Sequence, residues 1–119
     1  MPIAVEEAGD VRIVRVKQAK LTYAVLGRFF AEVQQLVESG ARRMLLDLHE
    51  VVYMDSASIG CLMDIQRLVR AHDGVLGLFG LQPRVETMIS MTGVLKLIDA
   101  YRDEAGALAA LGSAAEPGD

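Results

Sequence analysis

Tryptophan is absent from the 119-residue sequence, cysteine occurs once, and Tyr and Phe occur three times each. The lone Cys61 cannot close an internal disulfide, and it excludes a multi-cysteine zinc site. His49 and His72 are the only histidines and do not cluster in sequence, so neither a metal nor a cofactor is expected. Aliphatic side chains and six Met must fill the core, because aromatics make up 5%. Positive charge is also short: 12 Lys and Arg against 16 Asp and Glu leave a net charge of −4. The basic residues are dispersed, with Arg42-Arg43 the only adjacent pair. Nucleic-acid binding requires a concentrated positive field to meet phosphates, so none is expected. No apolar run approaches the roughly 18 residues of a membrane span. The start, Met1 to Glu7, lacks a basic stretch followed by an apolar one, which predicts no signal peptide. A cytoplasmic protein without membrane insertion is expected.

What is present suits a globular domain: 52% of residues are hydrophobic and 24% charged. The length fits one domain, drawn over residues 1–112. Residues 113–119 are small and polar and are expected to form a flexible C-terminal tail.

Val11 to Lys17 alternates with period two, as a strand does, and Ile3-Ala4-Val5 is its expected hairpin partner. Val25, Leu26, Phe29, Phe30, Val33, Leu36 and Val37 then recur at helical spacing, with Thr22 as N-cap and Gly40 as stop. Met44 to Leu48 reads as a strand buried on both faces. A second helix is predicted from Ser56 to Ala71 and a further buried strand over Val75 to Phe79. Pro83 opens a third helix, with Val85, Met88, Ile89 and Met91 or Thr92 facing inward. Leu95 to Ile98 is expected as the last strand and Asp103 to Leu111 as the last helix. The order β-β-α-β-α-β-α-β-α predicts an α/β domain: a mixed, mostly parallel sheet with an N-terminal hairpin and four helices.

One segment concentrates small polar residues where a buried strand passes through a loop into a helix: Met54-Asp55-Ser56-Ala57-Ser58. Sites in open α/β sheets gather beyond the carboxyl ends of strands, and a helix N-terminus there offers unpaired N–H groups. Asp55 or Ser56 can serve simply as the N-cap. Alternatively, Ser56 is a phosphoacceptor whose phosphate the helix N-terminus would partly stabilise. Such a phosphate acts on binding, by repelling an acidic partner or spoiling a tight interface.

The run Asp47-Leu48, Val51 and Met54-Asp55-Ser56-Ala57-Ser58-Ile59-Gly60 resembles the signature of STAS domains, specifically the bacterial anti-sigma-factor antagonists. In that family a buried strand leads to Met-Asp-Ser-Ser-Gly-Leu-Gly at a helix start. Pro83-Arg84-Val85 and Met91-Thr92-Gly93-Val94-Leu95-Lys96-Leu97-Ile98 are similar to the family's closing pattern, at the expected separation. The resemblance implies an antagonist that binds an anti-sigma factor acting also as a serine kinase. Phosphorylation at the residue matching Ser56 would switch it off, and a PP2C-type phosphatase would restore it. Thr22, Met54, Asp55, Ser56 and Ser58 are expected to contribute to partner binding, and the hydroxyl gained at Ser58, where the family has Gly, makes it an alternative acceptor.

The chain departs from the family pattern in two places. Ala57 and Ser58 replace a Ser and a Gly, and Ala19-Lys20-Leu21-Thr22 stands where Gly-Glu-Leu-Asp is common. The competing expectation is a constitutive STAS subunit of a stressosome-like or lipid-transport complex, in which Ser56 is only a cap. Enzymatic activity is not expected, since no Gly-x-Ser-x-Gly elbow surrounds Ser56. His49 and His72 are expected to be solvated and Cys61 a small buried thiol. Met54 and Met91 are expected to be partly exposed beside a contact surface.

Overall fold

The alternation in Val11–Val16 is buried on both sides, Val11 and Ile13 on one face and Val14 and Val16 on the other. This strand, β2, therefore lies inside a sheet and not at its margin. The computed structural model describes residues 3–114, with side chains as far as 112. Strand β1 (Ile3–Ala8) pairs antiparallel with β2, forming the expected hairpin. Beyond it, β4 (Arg43–Asp47), β6 (Val75–Phe79) and β7 (Asp99–Tyr101) add in parallel, giving the order β1-β2-β4-β6-β7. Two short strands missed by the sequence reading, β3 (Lys20–Leu21) and β5 (Tyr53–Met54), form a separate parallel pair. Two residues are too few to show a period.

Helix α1 (Tyr23–Glu38) buries Phe29, Val33 and Val37, spaced four apart. It packs beside α2 (Ser56–Ala71), and together with α3 (Pro83–Ser90) they cover Met44, Leu46, Leu48, Leu76 and Leu78 of the sheet. The opposite face carries α4 (Glu104–Ala114), which packs Ala107 and Leu111 against Val11, Ile13, Leu45 and Phe79. The uninterrupted apolar runs of β4 and β6 follow from this two-sided cover. Among the described residues, no helix is long and apolar enough to cross a membrane.

Three expectations need correction. Leu95–Ile98 is not a strand: Val94–Lys96 is a single 3-10 turn, and the last strand is β7. Gly93, at φ +85°, reverses the chain, and the N–H groups of Lys96, Leu97 and Ile98 bond back to Gly93 and Val94 instead of to a neighbouring strand. Neither Met91 nor Thr92 faces inward, since α3 has already ended at Ser90; Met91 is 83% exposed, in keeping with the other expectation for it. Helix α4 begins one residue later than expected, with Asp103 Oδ1 accepting from the Gly106 N–H at 2.7 Å, and runs on to Ala114. The rest of the expected tail, residues 115–119, lies outside the described residues.

Gly80 holds φ +79°, and a Cβ there would lie 2.8 Å from His49 Cβ. Gly60, inside α2, meets nothing within 4 Å. Gly80→Ala is therefore expected to destabilise the fold by about 1–3 kcal/mol, and Gly60→Ala to stabilise it by about 0.5–1 kcal/mol. Urea unfolding of the two variants checks both signs; a shared direction of shift contradicts the packing described.

Candidate functional site

The chain leaves β4 at Asp47 and reaches α2 at Asp55, and a carboxylate holds each end of the connection. Asp47 is 1% exposed. It accepts from the His49 N–H at 3.0 Å, His49 Nδ1 at 2.6 Å and Arg15 Nη1 at 2.9 Å. Burial pushes its carboxyl up, but the bonds from His49 and Arg15 outweigh that and keep it below the usual carboxylate range. The same Arg15 reaches Glu6 at 2.6 Å and Glu104 at 2.8 Å, linking β1, β2, β4 and α4. Sequence reading missed this network because its members are spread over the whole chain. His49 is not simply solvated, since its exposed ring is tied to Asp47.

Asp55 is the N-cap of α2, in extended conformation at φ −92° and ψ 175°. Its Oδ1 accepts from the Ser58 N–H at 2.8 Å, and its Oδ2 accepts from the Tyr23 N–H at 2.9 Å. One side chain thus caps its own helix and the first residue of α1. Thr22, expected to cap α1, occupies the N-cap position but makes no side-chain cap bond. The hydrogen bond from the Ser58 hydroxyl, joined by the Tyr23 and Ser58 N–H groups, holds the Asp55 carboxyl below its ordinary value.

The two serines of the motif have opposite fates. Ser58 is fully buried, its single hydroxyl proton shared between the Leu21 carbonyl at 2.5 Å and Asp55 Oδ1 at 2.6 Å. It cannot serve as the alternative acceptor or as a contact residue, because its oxygen is sealed under β3. The Asp-x-x-Ser spacing already carries this signal, since the third helical residue turns back toward the cap. Ser56, the first helical residue, is exposed, and its hydroxyl has no hydrogen-bond partner among the described residues. Met54 is fully buried, so its expected place on the contact surface is also corrected. In β5 the alternation turns Tyr53 outward and Met54 into the core.

Two depressions lie beside these elements. One, about 540 Å³, is a largely apolar groove between α1 and α2 lined by Tyr23, Leu26, Phe30, Ala57, Cys61 and Asp64. The other, also about 540 Å³, is lined by Lys20, Thr22, Val52, Tyr53, Gln82 and Arg84. Cys61 is buried as expected, and burial with the nearby Asp64 pushes its thiol up to about 11, so it is not a thiolate at neutral pH. The His72 ring lies 3.0 Å from the Leu68 carbonyl and the His49 ring bonds Asp47, so neither histidine pairs with Ser56 as a base. Among the described residues, no group of three or more His, Cys, Asp or Glu could hold a metal ion.

The family model for the STAS domain matches residues 2–107. BtrV of Bordetella bronchiseptica, provisionally named an anti-sigma factor antagonist, is 30% identical over 84 residues, covering 71% of this chain and 72% of BtrV. An anti-sigma factor antagonist from Mycobacterium paratuberculosis superposes with a TM-score of 0.84 at 20% identity, over 93% of each chain. The Bacillus cell fate determinant SpoIIAA in its phosphorylated form gives 0.67 at 16% identity, over 88% of this chain and 96% of that one. At such identities the two structures establish the shared fold.

Removing the buried hydroxyl in Ser58→Ala is expected to cost about 1–2 kcal/mol. Asp55 also makes stability depend on pH. Its folded carboxyl lies below the value of about 3.9 that an unfolded chain shows. Its contribution is therefore fully present above that unfolded value and is lost as pH falls through the folded one. Wild type should exceed Asp55→Asn in urea midpoint at pH 7, with the gap narrowing at pH 3. An equal gap at both pH values contradicts the role given to the carboxylate.

Proposed function

Because the chain belongs to the STAS domain family, we propose that it is a cytoplasmic anti-sigma-factor antagonist controlled by phosphorylation of Ser56. In its unmodified form it binds an anti-sigma factor that is also a serine kinase, and so releases the sigma factor. The observation that carries this reading is the division of labour at the start of α2. Asp55 and Ser58 complete the cap between them, while the Ser56 hydroxyl stays exposed and has no bond among the described residues.

Phosphorylation then has a local cost only. The Ser56 oxygen attacks the γ-phosphorus of ATP held by the kinase, ADP leaves, and the hydroxyl proton passes to a base on the kinase. The phosphate, carrying roughly −1.5 to −2 charge, sits at the positive end of a helix dipole. No hydrogen bond of Asp55 or Ser58 has to break to admit it. The fold therefore persists while the contact surface gains negative charge beside Asp55, which disfavours the kinase complex. Hydrolysis by a PP2C-type phosphatase regenerates the binding form.

The test is binding to the anti-sigma factor kinase of the same organism by titration calorimetry, with phosphorylation followed by intact mass. Ser56→Ala should bind like wild type and accept no phosphate. Ser56→Asp should bind at least about tenfold more weakly, a loss of about 1.4 kcal/mol or more. Equal binding by all three proteins would contradict the switch and favour the constitutive module, in which Ser56 only continues the cap.

A further inference from the structure

The cleft between β3, β5 and the start of α3 brings Lys20 and Arg84 to one concavity of about 540 Å³. We infer that it receives an acidic segment of the partner protein, so that Lys20 and Arg84 determine which partner is accepted. This rests on the antagonist reading and names the chemistry of its partner.

Neither cation has a carboxylate partner among the described residues. A second basic depression, lined by Arg12, Arg42 and Arg43, is different: it contains Asp10, which pairs with Arg43 at 3.3 Å, while Glu7 pairs with Arg12 at 3.3 Å. Two of its three guanidinium groups are therefore paired with carboxylates, one of which lines the depression itself. Among the described residues, the other polar side chains lining the cleft are those of Thr22, Tyr53 and Gln82, none of them acidic. Gln82 spends its amide on the His49 carbonyl at 2.7 Å, so it fixes the cleft wall and α3 starts without a side-chain cap. A positive concavity on a chain of net charge −4 is a directional feature that selects and orients a partner.

The dimensions and lining favour a protein carboxylate over a free inorganic anion. The space exceeds a single phosphate, and Val52, 41% exposed, supplies an apolar wall for the hydrocarbon stem of a Glu side chain. The cleft is also formed by segments that lead directly to Asp55. Lys20 pairs with Tyr53 across β3 and β5, Tyr53 precedes Asp55 by two residues, and Thr22 precedes the Tyr23 N–H that Asp55 holds. A partner acid seated here meets the segment that leads into α2, whose first residue is Ser56. A phosphate on Ser56 would then act against the partner's own negative charge, giving the switch an electrostatic component.

The test compares Lys20→Gln/Arg84→Gln with Lys96→Gln/Arg102→Gln, which removes two exposed cations outside the cleft, each checked for folding by circular dichroism. Against the anti-sigma factor kinase, the cleft variant should bind about tenfold more weakly and with a flatter salt dependence, and the control should bind like wild type. In parallel, amide shifts of the isotope-labelled protein are followed on adding blocked Glu-Asp-Glu, blocked Gln-Asn-Gln, or inorganic phosphate. The acidic peptide alone should shift Lys20, Tyr53 and Arg84, and the cleft variant should abolish the effect. If the cleft variant binds like wild type while Ser56→Asp fails to bind, the cleft inference is wrong and the antagonist reading stands. If no anti-sigma factor binds, the antagonist reading fails, and the peptide shifts still decide whether the cleft takes carboxylates. Shifts with phosphate but not with the peptide overturn the inference in favour of a free-anion site.

Discussion

The carboxylate of Asp55 is the fastening on which the site depends. It is attached to its own helix through Ser58 and to the neighbouring helix through the Tyr23 N–H. The two N-termini it joins have unpaired N–H groups and positive dipole ends, so a single negative charge satisfies both. Ser58 completes the joint from below by reaching the Leu21 carbonyl of β3. Three segments distant in sequence are brought into register at one point. What stays exposed beside that point is the Ser56 hydroxyl.

The same economy appears at the other end of the connection. Asp47, buried at the end of β4, takes bonds from His49 and Arg15, and Gln82 holds the His49 carbonyl from the α3 side. Between the two aspartates, the Leu48 N–H reaches the Phe79 carbonyl and the Val52 N–H reaches the Ala19 carbonyl. The loop that presents the site is therefore pinned along its length instead of being a mobile lid. A rigid presenting surface suits recognition by a protein partner, because little ordering entropy has to be lost on docking. It also suits a covalent switch, because a new charge changes the surface without moving the scaffold.

Much of this was legible in the sequence for physical reasons. Fully buried strands leave continuous apolar runs, as in Met44 to Leu48, and an amphipathic helix leaves a stripe, as in Phe29, Val33 and Val37. The limits of α2 follow from Asp55 as cap and Asp73-Gly74 as exit. What escaped was set by tertiary geometry. The Asp-x-x-Ser spacing turns Ser58 toward the cap, but its complete burial under β3, while Ser56 stays exposed, is set by contacts distant in sequence. Met54 gave no period from which to choose its face, because β5 has two residues. The segment after Gly93 has strand-like composition, yet its positive φ and local bonds turn it into a 3-10 turn. The Arg15 network joins residues from positions 6 to 104, a range that no local pattern reports.

The switch proposed for this chain requires that the Ser56 hydroxyl carry a phosphate in the cell. The direct measurement is intact mass and peptide sequencing of the protein isolated from its native cells under several growth and stress conditions. A single phosphate on Ser56, in part of the population and varying with conditions, is the predicted result. A phosphate on Ser58, or none under any condition, would contradict it.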